Sequence, residues 1–212
     1  MIDTITITKK ENKEEYNNIS HCMQARDKYP AMGYPTGSML IFKHRMITQD
    51  GKHAHITFTS LPDGLYDVEK AKNTFKLLSR FDVKKYPLYL LFPFLNLSSY
   101  QYNTLLDQKD FIQLVKYVKP LADVNHNGVM LTFNHNLHAF LENPDIGTVK
   151  TEINTENIHD KDLTTCLNIK YLEQGIKTMQ GKITAYIPKN IKEKPVLIRD
   201  KTKACIIAPI RI

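Results

Sequence analysis

No run of 18 apolar residues occurs in this chain of 212, so no helix long enough to cross a bilayer is expected. Residues Met1 to Thr8 alternate apolar and polar side chains. They lack the basic and apolar regions of a secretory leader and read as a strand. Cysteines are few: Cys22, Cys166 and Cys205. Scattered and odd in number, they make no disulfide framework and point to buried thiols in a cytoplasmic protein. No Gly/Ser linker or low-complexity tract divides the chain. A Gly-x-Ser-x-Gly turn, a Gly-rich phosphate loop and a paired-carboxylate motif are also missing, so no enzyme chemistry is expected.

What is present is a 42% hydrophobic chain, enough for a packed core in one large domain or two of about 100 residues. The net charge of +7 favours contact with polyanions. An ordinarily solvated surface carries the same surplus, so charge alone decides nothing. His53-Ala54-His55 puts two rings on one face of a strand, and His135 and His138 lie near each other. No cysteine or carboxylate stands at the spacing of a third ligand, so neither a metal nor another cofactor is expected. A histidine-based metal enzyme would instead retain metal through purification.

The second half is the more legible. Asp107 is placed to cap a helix in which Phe111, Leu114, Val115, Val118 and Leu121 share a face, and Pro120 limits its end. Strands follow at 128–134, 137–142 and 148–154. Asn168 caps a second helix with Ile169, Leu172, Ile176 and Met179 inward, and a strand covers 182–187. Two apolar runs around Asp200-Lys201-Thr202-Lys203 form a closing hairpin, with Pro209 marking an edge or an exit from the sheet. In the first half a polar helix spans 10–25 with a thin stripe of Tyr16, Ile19, Cys22 and Met23. A Gly/Pro loop covers 29–37, and strands at 38–43 and 53–59 surround Thr48-Gln49-Asp50-Gly51. A second helix is predicted over 67–80, burying Val68, Ala71, Phe75 and Leu78, with Glu69, Lys72, Lys76 and Arg80 on another stripe. A last strand is predicted over 86–92. The two orders are similar enough to suggest an internal repeat.

Several segments resemble the bacterial DNA sliding clamp, the β subunit of the replicative polymerase. The ending Ala208-Pro209-Ile210-Arg211-Ile212 is similar to its Met-Pro-Met-Arg-Leu tail. Asp107 to Val118 resembles the first helix of its third domain, Gly128 to Phe133 the next strand, Glu142-Asn143-Pro144-Asp145-Ile146-Gly147 its Asn-Pro-Glu turn, and Leu167 to Leu172 the start of its second helix. Phe92 to Tyr100 resembles its Phe-Pro-Asp-Tyr connection. Thr48 to Ala54 resembles the Ala-Thr-Asp-Gly-His-Arg-Leu loop of its second domain.

The resemblance implies an α+β fold of two clamp-like domains, 1–100 and 101–212, each with two helices on an antiparallel sheet. They match the clamp's second and third domains. It implies a processivity factor that encircles duplex DNA without reading sequence and serves a DNA polymerase and a clamp loader. Six domains per ring make two per chain a homotrimer. The alternative is a clamp-derived module that binds clamp partners without encircling DNA. A Leu/Phe-bearing partner peptide would lie against Gly51, Lys52, His53, Ala54, Val196, Ile206, Pro209, Ile210, Arg211 and Ile212. Lys52, His53, Ala208 and Ile210 depart from the family's residues, and loss of methionine stiffens such a site. Lys9, Lys10, Lys13, Lys72, Lys76, Arg80, Lys116, Lys119, Lys170 and Lys177 would face the duplex, flexible point charges that let DNA slide. The compact form fits a phage or mobile element in an AT-rich genome.

Overall fold

The computed structural model describes residues 4–26, 37–80, 86, 95–123, 125, 127–156 and 162–210. They fall into two compact units: Met1–Phe92 with Thr202–Ala204, and Pro93–Lys201 with Cys205–Ile212.

The first unit contains β1 (Thr4–Thr8), α1 (Lys13–Cys22), β2 (Met39–Phe42), β3 (Arg45–Gln49), β4 (His53–Phe58), β5 (Gly64–Ala71) and β6 (Thr74–Arg80). Its strands run in the order β1-β6-β5-β2-β3-β4, each antiparallel to its neighbours. Asn12 caps α1 by accepting the amide of Glu15 at 3.0 Å. Tyr16, Ile19 and Cys22 then bury against Ile7, Met39, Ile41, Met46, Phe75 and Leu77. The helix sinks deeper than its thin stripe suggests, because Glu15, Asn18 and His21 are buried too. The Glu15 carboxylate accepts from Thr59 Oγ1 at 2.9 Å, Ser60 N at 2.8 Å and Ser60 Oγ at 3.0 Å, which offsets its desolvation.

Residues 67–80 are not the expected helix. They form most of a β5–β6 hairpin that turns at Lys72-Asn73, with Ala71 opposite Thr74. Positions 68, 71, 75 and 78 fit a helical stripe, but the chain obeys the two-residue period. Phe75 and Leu77 are buried on either side of exposed Lys76, while Ala71 is exposed. This unit therefore has one described helix of at least eight residues, where two were expected. A strand, β3, also occupies Thr48 and Gln49, which the sequence places between the strands expected at 38–43 and 53–59. The loop expected over 29–37 lies outside the described residues except Gly37, and the strand expected over 86–92 does so except Tyr86.

The second unit contains β7 (Tyr102–Asp107), α2 (Gln108–Val118), β8 (Gly128–Phe133), β9 (Asn136–Asn143), β10 (Gly147–Asn154), β11 (Leu163–Asn168), α3 (Ile169–Ile176), β12 (Lys182–Ile187), β13 (Val196–Arg199) and, from Cys205 on, β14 (Lys203–Ile207). The order is strand–helix–three strands, stated twice. The two halves exchange their first strands. β7 pairs with β12 in the order β14-β13-β12-β7, and β11 pairs with β8 in the order β10-β9-β8-β11. Asp107 and Asn168 each end a first strand and cap the following helix, accepting the amide of Lys109 at 2.8 Å and of Lys170 at 3.0 Å. Both helices bury their apolar faces in one core with both sheets: Phe111, Leu114 and Val118 from α2, Ile169, Leu172 and Ile176 from α3, Leu131 and Phe133 from β8, and Ile183 and Ile198 from β12 and β13.

Candidate partner pocket and helix face

The tail after β14 does not hang free. Pro209 has no N–H to give, and it lies in a bridge opposite Leu167 of β11. The next residue supplies the bond: Ile210 N donates to the Cys166 carbonyl at 2.8 Å. The Ile210 side chain then lines an open pocket of ≈ 510 Å³ with Met130, Thr164, Thr165, Cys166, Lys192 and Glu193. Its lining mixes apolar residues (Met130, Cys166, Ile210) with polar and charged ones (Thr164, Thr165, Lys192, Glu193), the usual make-up of a site that holds an apolar anchor and orients it.

Three contacts shape this pocket. Thr165 Oγ1 donates to the Ile191 carbonyl at 3.1 Å, holding the loop before β13. Asn190 Nδ2 donates to Glu193 Oε2 at 2.5 Å and fixes that lining carboxylate. Next to two lining residues, Gly128 leaves no room for a side chain: a Cβ there would stand 2.6 Å from Cys166 Sγ and 3.3 Å from Ile210 Cδ1. Burial pushes the Cys166 thiol up, so it serves as a small neutral hydrophobe.

Of the expected contact residues on this unit, Pro209 and Ile210 are half-exposed, whereas Val196 and Ile206 are buried. Arg211 and Ile212 lie outside the described residues. Met130, Thr164, Thr165, Cys166, Lys192 and Glu193 were not anticipated. They come from three separated segments and carry no local motif.

On the first unit, Gly51 sits in the β3–β4 turn at φ +83, a left-handed backbone suited to glycine. Asp50 Oδ1 accepts the amides of Lys52 at 2.9 Å and His53 at 2.8 Å. Gly51 and Lys52 are exposed, while His53 and Ala54 are buried. Burial raises the Asp50 carboxyl, but the His53 ring, 2.9 Å away, and the loop amides outweigh it and hold it below its ordinary value.

Behind the turn, His53 meets the His55 ring edge-on at 5.3 Å. His21 of α1 stacks on His55 at 4.5 Å between centroids. His55 Nδ1 bonds the His21 carbonyl at 2.8 Å, and its Nε2 is buried without a partner among the described residues. Burial, then the neighbouring His21, drives the His55 pKa well below its ordinary value, so the ring is neutral. Among the described residues, no three His, Cys, Asp or Glu are grouped to hold a metal. The sequence signalled His53 and His55 but not His21, which joins them only through the packing of α1 on β4.

The lysines divide by location. Lys9 and Lys10 follow β1, and Lys13 opens α1; all are exposed. Lys72 is in the β5–β6 turn rather than on a helix. Lys76 alternates with Phe75 and Leu77, so it faces away from α1, and Arg80 is the last residue of β6. On the second unit Lys116, Lys119, Lys170 and Lys177 are exposed as expected. Lys119 is bound to the Glu173 carboxylate at 2.8 Å.

These two units define a DNA-clamp fold, present here as two of the clamp's three domains. The chain is similar to the DNA polymerase III subunit beta from Pseudomonas aeruginosa, with a TM-score of 0.74 and 12% identity over 99% of this chain and 66% of that one. It is similar to the DNA polymerase sliding clamp from Bacillus subtilis, with a TM-score of 0.72, 18% identity, and coverage of 99% and 64%. The DNA polymerase III beta chain from Streptococcus pneumoniae gives 0.73, 15%, and coverage of 99% and 65%. The chain thus spans about two thirds of the length of these clamps. No family model and no curated protein matches the sequence. No described helix is long and apolar enough to cross a membrane.

Proposed function

We propose that the chain is a non-catalytic sliding clamp, a processivity factor that encircles duplex DNA and holds a DNA polymerase to it. The observation that carries this reading is the clamp fold over 99% of the chain. Two further features support it. Helices α2 and α3 expose lysines suited to sequence-independent phosphate contact. The tail residue Ile210 lines an open pocket with Met130 and Cys166, which we assign to an apolar anchor of a polymerase peptide. The benefit of such a protein is topological, since linkage raises the local concentration of the polymerase at its template.

Two domains per chain make a head-to-tail homotrimer the ring-closing arrangement, with a clamp loader as a further partner. The test is mass in solution by light scattering, combined with retention on nicked circular DNA. A mass about three times 24.5 kDa, with protein retained on the circle and lost on linearisation, is the expected outcome. A monomer at micromolar concentration that does not distinguish circle from linear DNA would overturn it.

One observation favours a second reading. The first unit has a two-residue turn, Lys72-Asn73, where the second half of the second unit has helix α3. A chain whose described residues carry a hairpin turn at that place suits a clamp-derived module that binds clamp partners without encircling DNA. That module would bind a polymerase peptide while remaining a monomer or dimer.

A further inference from the structure

The lysines of the second unit form a repeated pattern, in which Lys109 joins Lys116, Lys170 and Lys177, already expected from the sequence. Lys109 and Lys170 hold the same place in the two halves: each gives its amide to the residue that caps its helix, Asp107 or Asn168. Seven residues later come Lys116 and Lys177. All four are exposed, and each pair is separated by two turns, about 10 Å along its helix. The two helices pack against one another. Lys119 does not belong to the set, because Glu173 already neutralises it at 2.8 Å. Asp110 is the one exposed carboxylate within these two helices.

Among the described residues, the first unit offers no counterpart. Where α3 carries Lys170 and Lys177, it has the Lys72-Asn73 turn. Its Lys76 faces away from α1, and Lys9 stands 6.0 Å from the centroid of the Tyr16 ring. The exposed Lys10 and Lys13 are interleaved with exposed Glu11 and Glu14. The surface charge around α1 is therefore mixed, while that of α2 and α3 is mostly positive.

Resting on the clamp reading, we infer that duplex contact is carried by the second unit alone, through the phosphates held by Lys109, Lys116, Lys170 and Lys177. The first unit contributes little to DNA affinity. The lysines are solvated, so neutralising them leaves the core intact, and circular dichroism checks that it does.

The experiment compares two variants of the full chain by anisotropy with a fluorescein-labelled duplex across a salt series. K109Q/K116Q/K170Q/K177Q is expected to bind at least about tenfold more weakly and to lower the salt slope by roughly three to four. K9Q/K10Q/K13Q/K72Q/K76Q is expected to stay within about twofold of the parent, with its slope unchanged. A loss in the second variant equal to that in the first overturns the inference and leaves the clamp reading standing. A parent chain with no salt-dependent duplex binding overturns both.

Discussion

Ile210 gives its backbone N–H to the carbonyl of Cys166 at 2.8 Å, so the tail is stitched to β11 by the same residue whose side chain lines the pocket. The backbone bond survives a change of side chain. Ile210→Ala should therefore retain the fold and lose only contact area, about 1–2 kcal/mol of an apolar anchor. Deleting residues 208–212 removes the bond as well. Fluorescence anisotropy with a Leu/Phe-bearing peptide should show a loss of at least about tenfold for the deletion and a smaller one for Ile210→Ala. Equal binding by all three proteins would move the peptide site elsewhere.

Gly128 should tolerate alanine only when Cys166 gives way. A Cβ at 128 would stand 2.6 Å from Cys166 Sγ, so Gly128→Ala should cost about 1–3 kcal/mol by overpacking. Removing the sulfur opens that space. The G128A/C166A double variant should recover part of the loss, which urea unfolding would read as a non-additive cycle. Strict additivity would show that the contact does not carry the cost.

The two helix caps should behave alike. Asp107→Ala and Asn168→Ala each strip the acceptor from the second amide of a helix, an expected cost of about 0.5–2 kcal/mol. Asparagine keeps the capping acceptor and loses only the charge that favours the helix N-terminus, so Asp107→Asn should cost less than Asp107→Ala. Thermal melts of the three variants rank them.

Acid should loosen the first unit before the carboxylates titrate. His55 is buried neutral, with its folded pKa below the unfolded value of about 6.5. Its neutral ring is accommodated fully above that value. As pH falls below about 6.5 the unfolded chain takes up a proton that the folded chain resists, and stability drops by up to about 1.4 kcal/mol per pH unit. Asp50, with a lowered folded pKa, loses its contribution only in the later window, below about pH 4. Urea midpoints at pH 7.5, 6 and 5 should fall for the parent and flatten for His55→Gln. An equal fall in both would assign the acid sensitivity to another group.

The caps made the second unit's helices legible. Asp107 and Asn168 precede clear helical stripes, and the structure places α2 and α3 directly after them. The strands β7 and β11 were missed for the same reason. Each runs into its helix through the cap, with no turn residue to mark the junction. In the first unit, Val68, Phe75 and the exposed residues between them satisfy both periods, and only the Lys72-Asn73 turn separates the readings. The pocket was hidden for a different reason. Apart from Ile210, its lining draws on β8, β11 and the loop before β13, which no linear motif joins.

The exchange of first strands has a consequence for how the second unit comes into being. β7 must wait for β12, and β11 completes a sheet begun by the other half. Neither half encloses its own apolar surface, so neither can become native before its sibling is made. Synthesised separately, with the break between β10 and β11, the halves should remain unstructured apart and assemble when mixed, as two interlocking pieces rather than two small domains.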